Sequence, residues 1–138
     1  MPFNEAIGWI WITLGFLSGA LIGLGFHREG FCGGYASFER RLLRLGHIAF
    51  FGTGFINIAF ALSSARLDLA APWPTVAGWC LVVGAVAMPV CCAIAARVGP
   101  QKQKAMGLFV LPVLSLTTGG VITAIGLTLH VLQSSGGV

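Results

Sequence analysis

AIGWIWITLGFLSGALIGLGF, residues 6–26, contains no charged side chain, and its reading decides the fold. At about 1.5 Å of rise per residue, a helix of this length crosses the ~30 Å hydrocarbon core of a bilayer. The run lacks the apolar/polar alternation of a membrane strand and is about twice such a strand's length. Backbone N–H and C=O groups find no water in lipid, and a helix satisfies them within one segment. Similar runs follow at Leu42–Leu62, Val76–Ala96 and Ala105–Leu132. The expected fold is an all-α membrane protein, a single domain over residues 1–138 with four transmembrane helices in an antiparallel bundle.

Composition agrees. The chain is 57% hydrophobic and 9% charged, against about 25% charged in soluble domains, and its mean hydropathy is +0.91. Eight Lys+Arg against four Asp+Glu give a net charge of +4. In a soluble domain that balance would raise nucleic acid as a partner. Here the basic residues fall between apolar runs, which argues against nucleic acid and for membrane lipids and other membrane subunits.

Arg28, Arg40, Arg41 and Arg44 lie in the first loop region with Glu29 and Glu39, and Arg97, Lys102 and Lys104 lie between spans three and four. The positive-inside rule makes both segments cytoplasmic and both termini non-cytoplasmic, in a bacterial-type inner membrane. Trp9, Trp11, Trp73 and Trp79 then fall near the outer ends of spans one and three, as an aromatic belt. Glu5 is the only charged residue before span one and no basic segment precedes it, so the span is expected to stay in the mature protein.

Local signals mark the boundaries. Pro72 and Pro74 precede span three, where a first-turn proline removes no needed bond. Gly99 and Pro100 break the chain before span four. Gly30, Gly33 and Gly34 read as a flexible stretch leading to Ser37, an N-cap, with Glu39 in the first turn. Span two is therefore expected to begin early, with Phe38–Arg44 at the interface. The tail Ser134–Val138 is expected to fray.

Small residues recur at fourth positions. Gly15, Gly19 and Gly23 do so on span one, Ala49, Thr53, Asn57 and Ala61 on span two, and Cys80, Gly84, Met88 and Cys92 on span three. On span four the stripe is Ser115, Gly119, Thr123, Gly126 and His130. Close helix packing explains such stripes, through Gly15, Gly19, Gly23, Thr53, Asn57, Gly84, Gly119 and Thr123. The alternative is a stripe facing a neighbouring subunit or a flat cofactor. Asn57 needs a hydrogen-bond partner on a facing helix. Pro89 and Pro112 each remove a backbone bond and are expected to kink their spans.

His47, one turn into span two, is the first cofactor candidate: it can ligate a haem iron or a chlorophyll magnesium, or donate to a quinone. His27, at the end of span one, is expected at a similar depth and is the second candidate. His130 falls on the opposite side. Phe50, Phe51 and Phe55 would suit a ring system beside His47, and equally lipid.

Arg40, Arg44 and His47 follow i, i+4, i+7 spacing and share a face. Arg40, Arg41 and Arg44 are expected to meet anionic lipid headgroups, the sharper alternative being an anionic substrate. This face partly resembles the second helix of the four-span membrane glutathione transferase and eicosanoid family, which also begins with basic residues. That family continues with an Asn and a Glu, where this chain has Ile48, Ala49, Phe50 and Phe51. The resemblance covers about one turn. It implies a small membrane enzyme that binds an anionic thiol.

Cys32, Cys80, Cys91 and Cys92 form no CxxC pair and read as small packing residues. No acidic residue lies within a span, which disfavours ion-coupled carriers and leaves a neutral-solute transporter. The functional expectation is an accessory or structural subunit of a larger respiratory or photosynthetic electron-transfer complex, rather than an enzyme. The alternatives are a haem- or chlorophyll-binding subunit using His47, a transferase-like enzyme, and a neutral-solute transporter.

Overall fold

A computed structural model describes residues 2–67, 69–99 and 107–135. Asp68, Pro100, Lys102, Lys104, the expected start of span four at Ala105 and the last three residues of the tail lie outside the described residues. Four helices organise the chain: α1 (Pro2–Phe26), α2 (Phe38–Ser63), α3 (Trp73–Val98) and α4 (Val110–Ser135). All four are long and apolar enough to cross a membrane, and no strand occurs among the described residues. The protein is a multi-pass, all-helical membrane protein.

The helices overrun their apolar stretches where capping chemistry extends them. Pro2 opens α1 with Glu5 in the first turn, both favoured at a helix start. Ser37 caps α2, its hydroxyl accepting from Arg40 N at 3.1 Å. Pro74 stands in the first turn of α3, which ends at Gly99 with a φ of +78°. The glycine stretch before α2 forms a hydrogen-bonded turn rather than a flexible tether. Gly33 N donates to Gly30 O at 3.2 Å and Gly34 N to Phe31 O at 3.2 Å. Only Gly33 and Gly34 there require glycine, with φ of +77° and +91°.

Neighbouring helices run antiparallel and pack in chain order: α2 lies between α1 and α3, and α3 between α2 and α4, so α1 and α4 are the outer helices. The tightest approach is α1 on α2. A Cβ on Gly8 would lie 2.7 Å from Gly54 O, and one on Gly54 would lie 2.9 Å from Gly8 O. Backbone meets backbone there, as small residues permit. Between α3 and α4, Gly84 receives Leu116 and Gly119 receives Leu81. Phe60, Ala77 and Leu81 form the buried cluster at the end holding both Asn4 and Asn57. Leu42 and Ala95 form a smaller one at the end that carries Arg28, Arg40, Arg41, Arg44 and Arg97.

Pro112 departs from expectation. It is the third residue of α4, in the first turn, where the missing N–H interrupts no bond inside the helix. The interruption falls just before it, at Leu108 and Phe109, which form a turn inside the expected span four.

Candidate functional site

A proline cannot donate to the carbonyl four residues before it, and at Pro89, inside α3, and Pro112, in the first turn of α4, a side chain of another helix supplies the donor. Pro89 leaves Ala85 O without its helical donor, and Trp11 Nε1 donates to that oxygen at 2.9 Å. Pro112 frees Leu108 O, which accepts from Cys91 Sγ at 3.1 Å. Trp11 lies ~13 Å along α1 from Pro2. Its indole turns inward and bridges α1 to α3, a contact that the belt expected of four tryptophans did not include.

Below that bridge, α1, α2 and α3 line a half-open cavity of about 410 Å³, bordered by Trp11, Leu14, Ser18, His47, Phe50 and Pro89 among others. Its walls are apolar except for Ser18 and His47. Ser18 Oγ donates to Gly15 O at 2.9 Å and lies 3.1 Å from His47 Nδ1. A hydroxyl has one proton, and Gly15 O takes it, so the network assigns the second contact to Nδ1–H donating to Ser18. In the neutral tautomer this arrangement leaves the lone pair on Nε2, which has no protein partner among the described residues. The ring sits on Gly19, where an added Cβ would lie 2.5 Å from His47 Cε1. Phe51 meets it edge-on, with centroids 5.3 Å apart and planes at 89°. His47 is thus held in one orientation beside an apolar cavity, its acceptor nitrogen free.

His27 does not share that depth. His47 stands opposite Ser18 and Gly19, whereas His27 is exposed beyond the end of α1, ~12 Å farther along the axis. The pair cannot ligate one metal ion. His130 is exposed on α4. Among the described residues no three His, Cys, Asp or Glu side chains gather as metal ligands.

Arg40, Arg44 and His47 also separate. Arg40 is 5% exposed, with Cζ 4.0 Å from the Phe26 ring centroid and 5.5 Å from that of Tyr35. Arg44 donates to Tyr35 O at 2.9 Å, and Arg41 is exposed. Of the three arginines expected at headgroups, Arg41 is exposed, Arg44 is half-buried and Arg40 lies against two aromatic faces. His47 leaves the face expected of all three, turning to Ser18 instead, while Arg40 and Arg44 stay together at Tyr35.

The packing residues divide similarly. Gly15 accommodates Phe51 and Gly19 accommodates His47, while Gly23 has no atom within 4 Å of an added Cβ. Thr53 and Thr123 donate back to their own helices, to Ala49 O at 2.6 Å and Gly119 O at 2.7 Å. Asn57 Nδ2 donates to Thr53 O at 2.9 Å and to Leu81 O at 3.4 Å, and its Oδ1 accepts from Asn4 Nδ2 at 2.9 Å. Sequence reasoning missed Asn4, Gly8, Ser18 and Gly54. For Asn4 a signal existed, a second amide at the same end of the bundle as Asn57.

No family model, curated protein or solved structure matches this chain. Fold and site therefore define it by class alone: a multi-pass helical membrane protein with a cavity among its first three helices.

Proposed function

We propose that the chain is a small integral subunit of a larger membrane complex, of the respiratory or photosynthetic electron-transfer kind. It resides in an inner, cytoplasmic-type membrane with both termini on the non-cytoplasmic side. The observation that carries this reading is the outward face of α4. Gly119 and Gly126 turn inward against Leu81 and Leu69, while Thr117, Gly120, Ala124 and Thr128 are exposed at spacings that place them on one face. Such a face accepts another helix at close range. The orientation draws support from the clustering of Arg28, Arg41, Arg44 and Arg97 at one end. Mild-detergent extraction from native membranes should recover stoichiometric partner chains, and Gly120→Leu should release them without lowering the thermal midpoint. A homogeneous isolated chain, unaffected in its associations by Gly120→Leu, overturns the reading.

The His47 cavity favours a second reading, in which the subunit seats an apolar molecule whose hydroxyl donates to Nε2. A quinol meets that description, and a haem- or chlorophyll-type metal would compete for the same lone pair. Neither the transferase nor the neutral-solute transporter gains support, since Arg40, Arg44 and His47 do not converge and the cavity is lined by only three helices. In titrations with a quinol analogue, His47→Leu should weaken binding about tenfold, the worth of one good hydrogen bond to a buried acceptor. A Soret-type absorption band lost in that variant identifies a tetrapyrrole instead, and equal quinol binding by the variant removes the site.

A further inference from the structure

Arg40 is a buried cation without a counter-charge. Its side chain is 5% exposed, Nε has no hydrogen-bond partner, and no carboxylate among the described residues pairs with it. The faces of Phe26 and Tyr35 attract the guanidinium, but they bring no negative charge. A desolvated ion in that position is strongly unfavourable. The helix adds to the problem, because Arg40 and Arg41 occupy the first turn of α2, where the positive end of the dipole disfavours cations. A second guanidinium stands on the same ring: Arg44 Cζ lies 4.8 Å from the Tyr35 centroid, held by Tyr35 O at 2.9 Å and Arg40 O at 3.4 Å. Glu39, the neighbouring carboxylate, turns away toward Gly33; its Oε2 lies 3.5 Å from where a Cβ there would be.

Two guanidinia around one tyrosine, at the positive end of a helix, therefore await an anion from outside the chain. We propose that Arg40 and Arg44 hold one phosphate group at the membrane surface. Guanidinium forks match phosphate oxygens in geometry and charge. The site sits where α1 ends and α2 begins, beyond the apolar core of both spans, so the headgroup of an anionic phospholipid is the source its position favours. A soluble phosphate offers the same chemistry. The site is separate from the His47 cavity and needs no partner subunit.

The test uses the full chain in a neutral detergent, with thermal midpoints and native mass spectra recorded after adding phosphatidylglycerol, phosphatidylcholine or inorganic phosphate. Phosphatidylglycerol should raise the midpoint and remain bound one to one, with phosphatidylcholine about tenfold weaker. An equal rise with inorganic phosphate supports the same site with a soluble source. Arg40→Met should be no less stable than the parent without lipid, since an apolar side chain replaces an unpaired ion, and should gain nothing from phosphatidylglycerol. Arg44→Gln, on a half-buried side chain, should fold normally and bind the lipid about tenfold more weakly. Equal responses of the parent and both variants to phosphatidylglycerol overturn the proposal, as does an Arg40→Met variant that is less stable than the parent in lipid-free detergent.

Discussion

Asn4 and Asn57 meet at one end of the bundle, Arg40 and Arg44 at the other, and the two pairs differ in what surrounds them. The asparagines are 2% and 0% exposed, and their amide groups bond each other and the backbones of α2 and α3, including Gly78 O at 2.9 Å. That network closes on itself and ties three helices. The arginines are drawn in by aromatic faces, and Arg40 Nε is the one buried polar side-chain atom left unpartnered among the described residues. A network that closes holds a fold together. One left open leaves room for a molecule that is not part of the chain.

The contrast can be broken first at the closed end. Gly54→Val should have the largest effect, because its branches enter the space of the Gly8 carbonyl and backbone cannot step aside. A loss of about 3 kcal/mol or more is expected, read as loss of the monodisperse peak in size-exclusion chromatography. Asn57→Ala should follow at about 2–3 kcal/mol, since it removes the acceptor of one Asn4 N–H in a dry site and the bond to Leu81 O. A change in thermal midpoint within error would mean that the asparagines do not anchor the bundle.

Trp11→Phe keeps an aromatic ring but strands Ala85 O, at a cost of about 1–2 kcal/mol. Adding Pro89→Ala restores a helical donor to that oxygen, so the double variant should recover most of the loss in a thermal-melt cycle. The smallest effect belongs to Gly23→Ala. With open space around it, the added methyl should change stability by about 0.5 kcal/mol or less, or raise it slightly, whereas Gly19→Ala must displace His47. Equal midpoints for these two alanine variants would remove the seating of His47 on Gly19.

The four spans were legible because bilayer length and the absence of charge are properties of single segments. Ser37 was legible for the same reason, since a cap acts on its own helix. What the sequence concealed depends on pairs far apart in the chain. Asn4 precedes the apolar run, and its part shows only with Asn57 opposite it. Trp11 fitted a headgroup belt, and only Pro89 on another helix explains why its indole turns inward. Gly23 carried the same spacing signal as Gly15 and Gly19, yet it is exposed and no atom stands within 4 Å of a Cβ there. Arg40 shared a helical face with His47 by spacing, but Phe26 and Tyr35 decide where the guanidinium goes.

The linear order of packing also bears on how the molecule is made. Each helix rests chiefly on the one synthesised just before it, so a chain emerging from a ribosome can assemble without waiting for its final segment. The Asn4 amide lacks its Asn57 partner until 53 further residues have been added, a delay of roughly 3–10 s at ordinary elongation rates, and its bond to Gly78 O on α3 waits longer still. During that interval the first helix is an incomplete guest of the bilayer, and arrival of the second converts it into a committed resident.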